Sequence, residues 1–255
     1  MDDLKHTDLS YLSVKPCRQL DSLVESVWMI KNNGVQSQQG VIVPDGKIDL
    51  FLVSGESDDF EIFSAGICTQ PIIKPPFPRS TMFAVSFYPL AAQYIFKQSF
   101  ADLKNKKQVL SENFWGFSKS DLEDFGYFYQ KACTVISSLL PEEIDSRKVK
   151  LFETIRESRG EITVKELSER IHWSSREINR YFQKWYGITL KVYLDIIRFS
   201  NSLQQLKSGD LYPRLNYGDQ SHFIRQVKKF SGVNPGMLKK NENDRFIQLS
   251  VLPEG

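Results

Sequence analysis

Between Glu25 and Tyr88 the apolar residues come in short runs that give way to turn formers every few positions. The runs are Val27-Trp28-Met29-Ile30, Val41-Ile42-Val43, Ile48-Asp49-Leu50-Phe51-Leu52-Val53, Phe60-Glu61-Ile62-Phe63 and Met82-Phe83-Ala84-Val85-Ser86-Phe87. β-Branched and aromatic side chains fit a pleated, half-buried surface, so each run predicts a strand. Asn32-Asn33-Gly34, Pro44-Asp45-Gly46 and Ser54-Gly55 separate them with turn chemistry. Closely spaced strands with no helix between them predict an antiparallel barrel or sandwich. After Pro89 the period lengthens. Leu90 to Phe96 reads as a short helix with Pro at its start. From Ser120 to Leu140 the residues Leu122, Phe125, Phe128, Tyr129, Cys133, Ile136 and Leu140 recur at helical spacing. Ser120 and Glu123 predict its capping box. Pro141-Glu142-Glu143 breaks the pattern and marks a domain boundary.

Beyond that boundary the periodicity is helical throughout. Arg147 to Ser158 carries Val149, Phe152 and Ile155 on one face, and Gly160 stops it. Thr163 with Glu166 forms a capping box for a helix over 164–171, whose apolar side is Val164, Leu167 and Ile171. His172-Trp173 is a brief turn. Ser174 with Glu177 caps the next helix, which buries Ile178, Tyr181, Phe182 and Trp185 and ends at Gly187. Two short helices around a turn of about three residues have helix-turn-helix spacing. On the polar side of the second helix, Arg176, Asn179 and Arg180 share a face. Arg and Asn match guanine and adenine edges in the major groove through paired hydrogen bonds. Lys184 lies one turn on, placed for a phosphate. A long helix over 189–207 follows. Asp219 then caps a helix whose exposed side offers Gln220, Ser221, Arg225 and Lys228; Gly232 stops it, and Asn234-Pro235 opens a last short helix.

Charge separates the two halves. Residues 1–144 hold 13 Lys and Arg against 18 Asp and Glu, whereas residues 145–245 hold 20 against 12. An acidic half joined to a basic one suggests that the second alone meets a polyanion. The 255 residues are 41% hydrophobic and 25% charged, which excludes a disordered chain, a collagen-like fibre and a disulfide-stapled mini-domain. No apolar run approaches the roughly 18 residues of a membrane helix, and acids stand at Asp2 and Asp3 where a signal peptide has a basic start. A cytoplasmic protein without membrane attachment is expected. Cys17, Cys68 and Cys133 are scattered, as are His6, His172 and His222, and no spacing suits a metal. A phosphate loop, a Gly-x-Ser-x-Gly elbow and a His paired with a carboxylate are all missing, so neither an enzyme nor a cofactor is expected.

The run Asp219-Gln220-Ser221-His222-Phe223, followed by Arg225, Lys229-Phe230, Gly232 and Pro235, closely resembles the terminal motif of the AraC/XylS family of transcription regulators. Arg180-x-Phe182, Gly187 and Tyr193-Leu194 resemble that family's first unit. The resemblance covers about 90 residues. It implies two recognition helices set one DNA turn apart, roughly 34 Å, by the long helix between them. It places Arg176, Asn179 and Arg180 against bases in the first unit and Gln220, Ser221 and Arg225 in the second, and makes His222 and Phe223 structural. One departure stands out: only Leu211-Tyr212-Pro213-Arg214-Leu215-Asn216 occupies the place of the second unit's supporting helix, and Val227 replaces the usual Phe. The first unit is therefore expected to dominate DNA contact. Pro44-Asp45-Gly46 and Phe87-Tyr88-Pro89-Leu90-Ala91-Ala92 resemble the sensor domains of such regulators, often cupin-like, which bind an effector or dimerise. Trp28, Phe51, Phe63, Phe83 and Phe87 are the candidate effector lining.

The expected architecture is α+β and multidomain. A β-rich, cupin-like barrel or sandwich with flanking helices spans 1–143, an all-α helix-turn-helix domain spans 144–243, and a tail spans 244–255. The expected function is sequence-specific binding of double-stranded DNA to regulate transcription, controlled by a small-molecule effector, a partner or a homodimer. The alternative is a regulator-derived interaction module whose shortened second unit has cost it specific DNA binding.

Overall fold

The computed structural model describes residues 9–34, 40–57, 59–74, 78–210, 217–242 and 245–251. The expected strands form, as β2 (Val24–Asn32), β3 (Gly40–Ile42), β4 (Ile48–Ser54), β5 (Phe60–Ala65) and β7 (Ser80–Phe87). Three more join them: β1 (Leu9–Val14), β6 (Ile72–Lys74) and β8 (Lys107–Val109). Each is an edge or a short ribbon partner with little burial, so its sequence lacks the strong alternation that a half-buried strand needs. The main sheet runs β1-β2-β7-β4-β5-β8, antiparallel throughout, with β3 and β6 as a separate ribbon. Among the described residues this sheet has β1 and β8 at its edges, so of the two expected arrangements, barrel or sandwich, no closed barrel forms.

One face of the sheet is packed by helices. Val27, Leu50, Leu52, Ile62, Phe83, Val85 and Phe87 are buried there. Phe83 meets Phe125 and Phe128 of α2 (Phe125–Ser138) at ring distances of 5.4 and 5.3 Å. Before α2 come the short helix α1 (Ala91–Tyr94) and a 3-10 turn over Lys119–Leu122. The capping box forms at Ser118 and Asp121, not at Ser120 and Glu123, and Asp124 caps α2 itself. The shift has a cause beyond local sequence: buried Asp121 also takes the Lys131 ammonium at 2.7 Å, so two partners fix that carboxylate at the helix entrance.

The C-terminal helices follow the expected order: α3 (Ser146–Glu157), α4 (Val164–Ile171), α5 (Ser175–Tyr186), α6 (Leu190–Lys207), α7 (Gln220–Ser231) and α8 (Pro235–Lys240). The segment 211–216 lies outside the described residues. A last helix, α9 (Ile247–Val251), was not foreseen. It straps the chain end onto the β3 ribbon. The Val41 N–H donates to the Arg245 carbonyl at 2.7 Å, and Phe246 and Leu249 are buried. The Gln248 amide imitates a neighbouring strand, accepting from the Val43 N–H at 3.0 Å and donating to the Val43 carbonyl at 2.9 Å. One continuous apolar core runs from the sheet through α3, α5, α6 and α7.

Candidate nucleic-acid interface

Both capping boxes of the first unit form. Thr163 with Glu166 starts α4, and Ser174 with Glu177 starts α5, so backbone donors that a helix start leaves open are satisfied. The turn between them is fixed by His172 in the left-handed region (φ 53°) and by Ser168, whose hydroxyl donates to the Trp173 carbonyl at 2.7 Å. Ile178 and Phe182 anchor α5 in the core, where Phe182 packs against Phe152 and Tyr193. Trp173 lies against Tyr181 at 5.5 Å.

This scaffold leaves Arg176 and Arg180 exposed, one helical turn apart. Neither guanidinium forms a hydrogen bond or an ion pair with another described residue. Two guanidinium forks on one ridge can address base edges or phosphates. Asn179 does not join them. Its side-chain nitrogen donates to the Ser175 carbonyl at 2.9 Å, and its oxygen accepts the Leu190 N–H at 3.1 Å. The expected base-facing Asn179 is instead a clamp that holds the start of α6 against α5. Lys184 is exposed at the last turn of α5, above the Trp185 ring.

In the second unit Asp219 caps α7, accepting from the His222 N–H. Gln220, Ser221, Arg225 and Lys228 are all exposed on α7. His222 accepts from the Gly218 N–H through Nδ1 at 3.3 Å and stacks edge-on with Tyr217, a structural place like that expected for it. Phe223 and Val227 are buried, and Phe230 packs on Phe199 of α6 at 5.2 Å.

The sheet half seats the far ends of these helices. Ser99 donates to the Lys184 carbonyl at 2.7 Å, the Phe100 N–H to the Trp185 carbonyl at 2.9 Å and the Lys104 ammonium to the Gly187 carbonyl at 3.4 Å. Three carbonyls that the end of α5 would leave open are thus satisfied from the N-terminal half. Gly187 lies at φ 66°, and a Cβ there would stand 2.6 Å from the Ala101 carbonyl oxygen, so no larger residue fits. Gly46 plays the same part at α6: it lies at φ 79°, and a Cβ would stand 2.6 Å from Ile197 Cδ1.

Between the halves lies a cavity of about 260 Å³, walled by Glu25, Asp45, Lys47 and Tyr88 on one side and Phe152, Arg156 and Tyr193 on the other. The Tyr88 ring has the Lys47 ammonium 5.9 Å and the Arg156 guanidinium 4.9 Å from its centre. Burial opposes charge on Lys47, yet the Asp45 and Glu25 carboxylates hold its pKa above the ordinary lysine value. Burial, reinforced by Asp45, pushes the Asp49 carboxyl up to about 7. Nothing in the residue pattern marks this cavity, because its walls come from segments about a hundred residues apart.

The five candidate effector residues fall on opposite faces of the sheet. Trp28, Phe51 and Phe63 form a ladder of rings at 5.7 and 4.8 Å on one face, with Tyr11 beside Trp28. Phe83 and Phe87 point into the helix-packed core on the other. The five line no common pocket, and the reason is the two-residue period of a strand. Among the described residues no three His, Cys, Asp or Glu side chains cluster as metal ligands, and no helix is long and apolar enough to cross a membrane.

Residues 167–241 match the family model described as a helix-turn-helix domain, and residues 12–109 match a domain of unknown function, DUF6597. An uncharacterised HTH-type transcriptional regulator of Bacillus subtilis (strain 168), YtdP, is 26% identical over 91 residues. That match takes in 34% of this chain and only 12% of YtdP. Among solved structures, the apo form of a ToxT variant from Vibrio cholerae strain SCE256 aligns over 91% of this chain and 96% of its own, with a TM-score of 0.44 and 8% identity. ToxT from Vibrio cholerae O395 aligns over 96% and 98%, with a TM-score of 0.37 and 12% identity.

Proposed function

We propose that this chain, whose residues 167–241 belong to the AraC-type helix-turn-helix domains, is a sequence-specific DNA-binding regulator of transcription. The observation that carries the reading is the free pair Arg176 and Arg180, held on the exposed ridge of a doubly capped two-helix unit. Arg180 and Arg176 read base edges in the major groove, and Lys184 meets a phosphate. Gln220, Ser221, Arg225 and Lys228 make the second, weaker contact. The functional division is a sensing and seating half over 1–143, a DNA-reading half over 144–243 and a tail over 244–255, in which Arg245 and Gln248 fasten onto the β3 segment. The protein acts in the cytoplasm, as a regulator and not as an enzyme.

A small-molecule effector at the N-terminal half regulates the reader, and the cavity beside Tyr88 is its place. A ligand there touches α3 and α6, the scaffold of α5, and it changes DNA affinity only as far as it prefers one arrangement of that scaffold. A second copy of the chain is a further partner. The test is a selection of bound sites from random duplex DNA, followed by affinity measurement over a salt series. A recurrent half-site lost with Arg180→Ala supports the reading. Binding no tighter to selected than to random duplex rejects it in favour of an interaction module.

A further inference from the structure

We infer that the N-terminal half itself touches DNA, through a rim of lysines that continues the basic surface of α5. The inference rests on the DNA-binding reading above. Residues 96–107 hold four lysines and one acid, whereas the rest of residues 1–144 hold 9 Lys and Arg against 17 Asp and Glu. The one strongly basic segment of an acidic half is the segment docked on the recognition helix. Its contacts are those of Ser99, Phe100 and Lys104 with the carbonyls of Lys184, Trp185 and Gly187.

Lys97, Lys104 and Lys106 are exposed, as are Lys184 at the end of α5 and Lys191 in the first turn of α6. The ammonium groups of Lys97 and Lys106 form no hydrogen bond or ion pair with another described residue. Lys107 is outside the rim, since it pairs with Glu61 and lies over the Phe63 ring. Dimensions bring the rim to the duplex. A helix of 12 residues such as α5 is about 18 Å long, and the major groove is about 12 Å wide. A helix that sets Arg176 and Arg180 on base edges therefore carries its last turn over a phosphate ridge, and the lysine loop comes with it. Phosphates carry no sequence information, so the rim adds affinity and register rather than specificity.

The experiment uses the full chain and a duplex of random sequence, with affinity read against salt concentration. Lys97→Gln with Lys106→Gln is compared with Lys15→Gln with Arg18→Gln, an equal change of net charge at exposed positions elsewhere in the N-terminal half. Lys104 is kept because its ammonium caps α5. Unchanged thermal unfolding checks that both variants fold. Each lost phosphate contact lowers the slope of log affinity on log salt by about 0.9. The first variant is expected to lose about one to two units of slope, equally on random and selected duplexes, with the second variant at the wild-type slope. Equal slopes in all three proteins, or equal losses in both variants, overturn the rim and leave the regulator reading standing. A wild-type chain that shows no salt-dependent DNA binding overturns the regulator reading itself.

Discussion

The two units proposed to read DNA are built to different standards. In the first, α4 and α5 each start in a reciprocal capping box, the turn is locked, and the far end of α5 is capped by the sheet half. In the second, α7 starts on a single Asp219 cap without a reciprocal partner, and the segment 211–216 before it lies outside the described residues. This helix is held by its packing on the neighbouring helix, where Phe230 meets Phe199 of α6. The first unit is thus held both by its own local sequence and by the sheet half, whereas the second has one local cap and its packing on α6.

This contrast is broken most sharply through the cores. Phe182→Ala should cost about 3–5 kcal/mol in urea unfolding, because a buried ring is removed from among Phe152, Tyr186 and Tyr193. Val227→Ala removes two methyl groups and should cost roughly 2 kcal/mol. Equal losses would mean that the second unit is the more tightly packed for each atom removed, because the ring leaves the larger cavity. On DNA, Arg180→Ala should lose about 1–3 kcal/mol of discrimination between selected and random duplex, and Arg225→Ala clearly less. Equal weakening would restore the second unit to full partnership.

Gln248→Ala tests the strap. It removes two hydrogen bonds to the Val43 backbone and should cost about 1–3 kcal/mol. Amide exchange is expected to quicken in α9 and β3 while α5 stays protected, and uniform quickening would show one cooperative body. The smallest effect concerns pH at Asp49 on β4, whose carboxylate accepts from the Ser86 hydroxyl. Asp49 titrates near 7 in the fold and near 4 when unfolded, so between those values the folded chain holds a proton that the unfolded chain has lost. This carboxyl therefore makes the fold less stable as pH rises from about 4 to about 7, with no further change above. Asp49→Asn should raise the melting temperature more at pH 8 than at pH 5, and a pH-independent difference would refute the assignment.

Much of this was legible in the residues. The caps at Thr163, Ser174, Asp219 and Asn234 and the stops at Gly160, Gly187 and Gly232 fall where they were expected, because capping is settled within a few residues. Asn179 was misplaced for the opposite reason. Its face of α5 is correct, but the partner that claims its amide, Leu190, belongs to the next helix. The aromatic lining failed on parity: Phe51 and Phe83 both look like strand aromatics, and only the register decides which face each takes.

Local chemistry alone determined the strands with strong alternation, the helix ends, the split of charge and the ridge carrying Arg176 and Arg180. Tertiary contacts decided the rest: the edge strands, the cavity, the docking of α5 on the lysine loop and the returning strap. The division has a simple origin. Hydrogen bonds and periodicity within one element are written in adjacent residues, whereas a surface made by chain segments a hundred or two hundred residues apart exists only once the core has brought them together.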